Sequence, residues 1–197
     1  MTSNALVTAP AVVTLDLEKA RLYLQQTRDG AVGAVKGLSE AQWRFKPAPD
    51  RWSIAEILEH VVFVQERILG ERRELLAQAP PPPEGYDYQQ VDSLVIHHFP
   101  DRLAKFQAPE FARPTGRWTA SEMPDRLIHN YARLNEYLES TPDLRQHAIE
   151  SLPIKAVSQG KYEFMDGYQW VLAAAAHTER HTKQILELKA DASFPQY

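Results

Sequence analysis

The stretch WVLAAAAHTERHTKQILELK, residues 170–189, decides the fold class of this 197-residue chain. At 100° per residue, one face of the corresponding helix forms a stripe that is apolar except around two histidines. The stripe consists of Trp170, Ala173, Ala174, His177, His181, Gln184 and Leu188. His177 and His181 stand four residues apart at its centre, so they are stacked neighbours on one helix face. We therefore predict a long helix from Asp166 to about Ala190 that turns two imidazoles toward the protein interior.

Three further segments have apolar residues at the same helical spacing. They run from Leu15 to Lys36, from Ser53 to the Pro80–Pro83 run, and from Thr119 to about Ser140. Ser53 with Glu56, and Thr119 with Glu122, each have the spacing of a capping box, which predicts a helix start at both places. Four amphipathic helices predict an all-α protein, a four-helix bundle.

The remaining segments connect these helices. The stretch from Glu84 to Trp118 separates the second helix from the third, and it predicts a long crossover that contains a short helix from Asp87 to Phe99. Residues from Ser151 to Glu163 mix proline, glycine and β-branched residues, which is typical of either a loop or a short hairpin. We expect residues 1–197 to form one domain, since this length is ordinary for a single core.

The composition limits the class of function. Hydrophobic residues make up 44% of the chain and charged residues 24%, as in ordinary globular proteins. The formal net charge of −4 gives no basic footprint for nucleic acid. The absence of cysteine leaves only nitrogen and oxygen to bind a metal. The first residues, MTSNALVTAPAVV, have no basic region before an apolar core, so we expect no signal peptide. The longest purely apolar run, Trp170 to Ala176, is too short to span a bilayer, so we expect no membrane segment and a cytoplasmic location.

A third histidine extends the pattern. His60 lies in RWSIAEILEHVVFVQERIL, residues 51–69, on the flank of an apolar stripe and about 60° from Ile57. Together with His177 and His181 it forms the tri-histidine set that catalytic zinc sites use, which leaves one coordination position open. The alternative is that these are hydrogen-bonded core residues, but the neighbouring alanines offer the imidazoles no partners. The other histidines, His97, His98, His129 and His147, do not share the pattern.

The residues around these histidines resemble those of a known family, the DinB/YfiT-like superfamily. Trp52, Ser53, Glu56 and His60 resemble its W-S-x-x-E-x-x-x-H opening of the second helix. His177, Arg180, His181, Gln184 and Ile185 resemble its H-x-x-R-H-x-x-Q-I signature on the last long helix. The order and length of all four helices also agree with that superfamily.

The resemblance implies a fold, a cofactor and a class of partner. It implies a DinB-like four-helix bundle, frequently homodimeric, that binds zinc, nickel or a similar divalent metal through His60, His177 and His181. Characterised members of the superfamily include transferases and isomerases that use low-molecular-weight thiols such as bacillithiol or mycothiol, and other members are described as metal-dependent hydrolases. A small-molecule substrate, with no nucleic acid and no membrane, is the partner that this implies.

The sequence leaves several roles open. An open metal position activates either water, whose pKa zinc lowers to about 7, or an incoming thiol held as thiolate. Glu56 either caps its helix or orients His60. Gln184 lies one turn beyond His181 and is a candidate to bind a substrate or a ligand. Arg180 is a candidate to pair with an anionic substrate or with an acid of the protein.

Two classes of function follow from these residues. The first is a metal-dependent enzyme, a thiol-dependent transferase or a hydrolase. The second is a non-catalytic bundle in which a metal stabilises the fold or a dimer. A structural zinc site requires four protein ligands, and the sequence offers neither a cysteine nor another inward histidine. This favours the enzyme.

Overall fold

A computed structural model describes residues 14–103 and 107–196, and of residues 14 and 15 only the backbone. The N-terminal stretch on which the signal-peptide expectation depends lies outside the described residues. Within them the chain is predominantly helical, which confirms the predicted all-α class. The helices are α1 (Thr14–Val35), α2 (Glu40–Arg44), α3 (Ile54–Arg67), α4 (Arg73–Leu76), α5 (Tyr88–His98), α6 (Met123–Ser140), α7 (Leu152–Val157) and α8 (Gly167–Lys189).

Four of these helices form the bundle. Helices α3 and α4 are joined by a π-helical turn over Ile68–Arg72, so the predicted second helix is one rod with a bulge near its end. In cross-section α1 lies between α8 and α6, and α3 lies between the same two helices on the opposite side. The apolar stripes meet along the bundle axis, where Leu24, Ile57 and Leu134 have lost all contact with solvent.

The side-chain contacts show how the four helices run. Helices α1 and α8 run parallel, since the Tyr23 hydroxyl donates to Glu179 and the Lys189 ammonium donates to the Ala34 carbonyl farther along both helices. Helix α3 runs antiparallel to α8 and parallel to α6. Two parallel helices cannot be joined by a tight turn, which explains the long predicted crossover between α3 and α6.

The crossover contains the predicted short helix, α5, which packs against α8 and α7. A single turn of 3₁₀ helix follows at Glu110–Ala112, beside α3. No helix within residues 14–103 and 107–196 is long and apolar enough to cross a membrane.

Two predictions about the connections need correction, and one short helix was not predicted. Helix α6 begins at Met123 rather than Thr119, because Thr119 to Glu122 forms a separate turn in which the Thr119 hydroxyl donates to Glu122 instead of accepting from its backbone N–H. The Ser151–Glu163 segment is neither a loop nor a hairpin alone, since it contains α7. Its flanks form a two-stranded antiparallel sheet, β1 (Ala148–Glu150) with β2 (Phe164–Asp166). Helix α2 was not predicted, because five residues are too few to show helical periodicity.

Helix α8 is buried on every side over its first half, residues 167–176. Asp166 caps it, and the capping box with Gln169 is complete. Arg145 donates to both Asp166 (3.1 Å) and Asp92 (2.7 Å), which joins the connection before β1 to the start of α8 and to α5. These contacts fix the axial position of α8, and with it the height at which its histidines face α3.

Candidate metal centre

Helices α3 and α8 bring His60, His177 and His181 together. One nitrogen of each ring lies within 4.8 Å of the corresponding nitrogens of the other two, and the Nε2 atoms of His60 and His177 are 3.1 Å apart. The ring centroids are separated by 4.5–4.9 Å. The convergence follows from local geometry: the four-residue spacing stacks His177 over His181, and the antiparallel crossing places His60 against both.

The protein fixes the orientation of the His60 ring. Its Nδ1 lies 2.7 Å from the carbonyl oxygen of Ala112, in the 3₁₀ turn of the crossover. A carbonyl only accepts, so Nδ1 carries the proton and Nε2 presents its lone pair to the other two histidines. The indole of Trp52 packs beside the ring at 5.1 Å between centroids.

The His181 ring is fixed in the same way by its own helix. Its Nδ1 lies 2.8 Å from Oε1 of Gln184, one turn farther along α8. With the amide oxygen as acceptor, Nδ1 is protonated and Nε2 is left free. The structure thus places Gln184 on the back of a predicted ligand, where it orients the ring. In His177 Nδ1 is buried without a hydrogen-bond partner among the described residues, and Nε2 faces His60.

The three imidazoles are held neutral. Burial lowers the pKa of His177 and His181 well below the usual value for histidine, and charge repulsion among the three rings lowers it further. Burial also lowers the pKa of His60, with the Ala112 hydrogen bond opposing the shift and the Arg117 charge adding to it. A metal competes with protons for these nitrogens, so neutral rings are the state that binds a metal.

The donor set fits a divalent transition metal. Two imidazole nitrogens bound about 2.0–2.1 Å from one ion, at angles between square and tetrahedral, are roughly 2.9–3.4 Å apart. The 3.1 Å between the Nε2 atoms of His60 and His177 lies inside that range. Neutral imidazole suits zinc, nickel and copper and is a poor ligand for calcium or magnesium. Two buried histidines, His60 and His181, and the half-buried His177 can therefore hold such an ion.

The structure also places the two remaining candidates from the sequence. Glu56 does not contact His60: one oxygen accepts from the Ser53 backbone N–H at 2.7 Å, which completes the predicted capping box, and the other pairs with Lys46. Arg180 is buried, and its charge is close enough to contribute to the lowered pKa of His181. Arg102, Asp101 and Glu187 are its charged neighbours in turn.

Sequence reasoning missed the contributions of the crossover. Ala112 contributes its backbone carbonyl, and the pattern of side chains in a sequence does not predict which backbone carbonyl will accept a hydrogen bond. Buried Glu59, one residue before His60, accepts from the backbone of Thr115 and Gly116. The one available signal is the position of Glu59 within the mostly apolar run of residues 57–64, because an acidic side chain is almost never fully buried without a partner.

His97, His98 and His129 are exposed, and Nδ1 of His147, in the connection before β1, lies 2.6 Å from the carbonyl oxygen of Ala79. Because that carbonyl can only accept, Nδ1 of His147 is the donor. Among the described residues, one group of three or more potential ligands lies close enough together to share an ion. It consists of His60, His177 and His181.

The chain is similar in sequence to known proteins. Uncharacterized protein YuaE of Bacillus subtilis (strain 168) is 23% identical over 156 residues, which cover 79% of this chain and 88% of YuaE. No solved structure matches the chain. A sequence model described as the DinB superfamily matches residues 23–185, a span that runs from α1 to the second half of α8 and includes all three histidines. The chain therefore belongs to the DinB superfamily.

Proposed function

We propose that this protein binds one divalent transition metal ion, zinc or nickel, through His60, His177 and His181, and that it is a metal-dependent enzyme acting on a small molecule. The observation that carries the proposal is the convergence of the three rings, two of them with the Nδ1 proton held by a protein acceptor. Such acceptors on the far side of a ring are typical of metal-ligating histidines.

The number of ligands supports a catalytic rather than a structural role. Structural zinc sites are closed by four protein ligands, whereas catalytic sites have three and keep a position for water or substrate. The cluster comprises three side chains among residues that the structure describes. A bound divalent ion acts as a Lewis acid that makes water or a thiol nucleophilic at neutral pH.

The residues of the chain have distinct parts in this proposal. The Ala112 carbonyl and Gln184 hold the Nδ1 protons and so keep two Nε2 lone pairs directed at one point. The indole of Trp52 packs beside the His60 ring. Arg180 contributes positive charge beside His181, and we propose that it attracts an anionic group of the substrate.

We propose an external thiol as the nucleophile. The chain has no cysteine, so a thiol used at this site must come from a cosubstrate. Hydrolysis would use the same three ligands with water in place of the thiol. A homodimer stays a prediction of the family resemblance, to be checked by light scattering.

The first experiment is elemental analysis of protein purified without an affinity tag. We expect about one zinc or nickel per chain, in agreement with one tri-histidine site. His60→Ala should lose the ion, and His129→Ala, which removes an exposed histidine of α6, should retain it. Equal metal content in both variants would refute the ligand assignment.

The second experiment separates the reactions. Metal-loaded protein is offered an electrophilic substrate with a panel of low-molecular-weight thiols, and ester and amide substrates are tested beside it. Thiol-dependent turnover that His60→Ala abolishes supports the transferase. Thiol-independent hydrolysis with the same dependence on His60 supports the hydrolase. Metal binding with no turnover of either kind would favour the non-catalytic, metal-stabilised bundle.

A further inference from the structure

The crossover segment 109–117 folds around a buried carboxylate of α3. Glu59 is 3% exposed, and its two oxygens accept from the backbone N–H of Thr115 (2.7 Å) and Gly116 (2.9 Å). One of them also accepts from the guanidinium of Arg117 at 2.9 Å. Three donors, one of them charged, satisfy a carboxylate that would otherwise be costly to bury.

Arg117 closes the segment on itself. The same guanidinium donates to the carbonyl of Arg113 (3.2 Å) and to that of Phe111 (3.4 Å), and it stacks over the ring of Phe63 on α3 at 4.3 Å. Gly116 has φ = +76°, a left-handed conformation that residues other than glycine rarely adopt. The segment therefore has one defined shape, which is tied to α3 through Glu59.

The same segment contacts the metal centre through its other end. The carbonyl of Ala112 accepts from Nδ1 of His60, three residues before the Glu59-bound N–H groups begin. Glu59 and His60 are consecutive on α3, so both side chains meet this one segment, the first at Thr115–Arg117 and the second at Ala112. An anchor at Glu59 thus limits where the Ala112 carbonyl can lie.

We propose that Glu59 is a positioning residue of the metal centre: by holding the 109–117 segment against α3, it keeps the Ala112 carbonyl on Nδ1 of His60 and Nε2 directed at His177 and His181. The inference rests on the proposed function for the presence of a metal. The orientation of His60 that it explains is a property of the protein without metal and can be measured there.

A purely structural ion pair would behave differently. Loss of such a pair would lower the stability of the protein and leave the His60 tautomer and the geometry around a bound ion as they are. A positioning residue changes the tautomer distribution and the metal affinity even under conditions where the protein is fully folded.

The test uses Glu59→Gln, which keeps the shape of the side chain. The substitution replaces one of the two accepting oxygens with an NH₂ group, so the side chain can no longer accept from all three donors. The matched control is Glu66→Gln on the same helix, because Glu66 pairs with Arg126 of α6 and does not contact the crossover segment. Arg117→Ala is the second variant. It removes one of the three donors to Glu59 from a partly exposed position and keeps the protein testable if Glu59→Gln does not fold.

Two quantities are measured at pH 7.5. The first is the ¹⁵N chemical shifts of the histidine rings in metal-free protein, which report whether Nδ1 or Nε2 carries the proton. The second is the affinity for Zn²⁺ by competition with a chelator, together with the Co²⁺ absorption spectrum. We expect Glu59→Gln to mix the His60 tautomers and to weaken zinc binding about 10–100-fold, the usual loss when the residues behind a ligand are changed.

We expect Arg117→Ala to show a smaller change in the same direction, and Glu66→Gln to match the wild type. Wild-type tautomers and wild-type affinity in folded Glu59→Gln, or in Arg117→Ala where Glu59→Gln does not fold, would overturn the positioning role. Wild-type protein that binds no metal would refute the proposed function, and a shifted His60 tautomer in Glu59→Gln would then still support the positioning role.

Discussion

Both halves of α8 place polar side chains in the core, but the hydrogen bonding of these side chains differs between the two halves. At the start of the helix, Asp166, Gln169 and Arg145 are buried, and each has at least two hydrogen-bond partners within the protein. Two turns farther on, His177 and His181 meet His60 with three ring nitrogens turned toward one another. The first group is satisfied by hydrogen bonds within the protein, whereas in the second the ring nitrogens face one another and Nδ1 of His177 has no hydrogen-bond partner among the described residues.

This difference separates a structural network from a binding site. Burial raises the pKa of Asp166 to about 7, and the Arg145 charge and the Gln169 backbone N–H offset only part of that rise. Burial lowers the pKa of all three histidines, repulsion from the neighbouring rings lowers that of His177 and His181 further, and the acceptors behind His60 and His181 hold the protons away from the centre. A buried cluster of lone pairs is costly unless a cation shares it.

The largest expected effect breaks the network. Arg145→Met leaves the carboxylates of Asp166 and Asp92 without their cation, and Asp166 is fully buried. Removal of one partner from a buried ion pair costs about 3–5 kcal/mol. We expect that loss in urea unfolding, and Arg44→Ala, which disrupts an exposed pair with Glu40, to change the free energy of unfolding by less than about 1 kcal/mol. If Arg145→Met also lowered the free energy of unfolding by less than about 1 kcal/mol, the network would not anchor α8.

The next effect sharpens the distinction at the histidines. His181→Ala should abolish zinc binding and leave the helix content unchanged. Helix α8 stays packed in the core because Trp170, Ala174 and Leu188 remain buried there. Zinc at 100 times its dissociation constant should stabilise the wild type by about 2.7 kcal/mol and should not stabilise the variant. Thermal unfolding with zinc and with a chelator measures both. An equal zinc effect in wild type and His181→Ala would contradict the site.

The pH dependence of the metal-free protein tests the lowered pKa values. The unfolded chain takes up protons on histidine below about pH 6.5, whereas the folded chain, with its lowered pKa values, does not. Their contribution to stability is therefore present above pH 6.5 and is lost as pH falls.

For one histidine that stays neutral in the folded state, this loss amounts to about 1 kcal/mol between pH 6.5 and 5.5. Urea unfolding in the presence of a chelator measures this difference. Between pH 6.5 and 5.5, the free energy of unfolding of His181→Asn should fall by about 1 kcal/mol less than that of the wild type. Identical pH dependence in the two proteins would mean that His181 is not held neutral.

The smallest effect concerns Glu56, for which the sequence allowed two roles. Glutamine is as good as glutamate in a capping box, so Glu56→Gln loses only the pair with Lys46 and should cost about 0.5 kcal/mol or less. Zinc affinity should stay at the wild-type value, since the carboxylate does not contact His60. A clear fall in zinc affinity would show that Glu56 supports the site in solution.

Much of the bundle was predictable, because local chemistry specifies it. The capping box of Ser53 with Glu56, the Pro80–Pro83 stop and the apolar stripes mark where helices begin, end and bury a face. The Thr119–Glu122 prediction was wrong by four residues, since the same residue pair also forms an isolated turn. Short elements such as α2 and α7 were beyond reach, because they span too few residues for periodicity to appear.

By itself the sequence determined that His177 and His181 stack on one helix face, because a helix repeats every 3.6 residues. It also determined that any metal here is bound by nitrogen or oxygen, since there is no cysteine. The three-residue spacing of His181 and Gln184 likewise makes them neighbours on that face. Only the tertiary structure decided that the Ala112 carbonyl accepts the ring proton of His60, and that Glu59 faces the crossover rather than solvent. A backbone carbonyl has no sequence signature, and its position depends on how a distant segment packs, which no local pattern encodes.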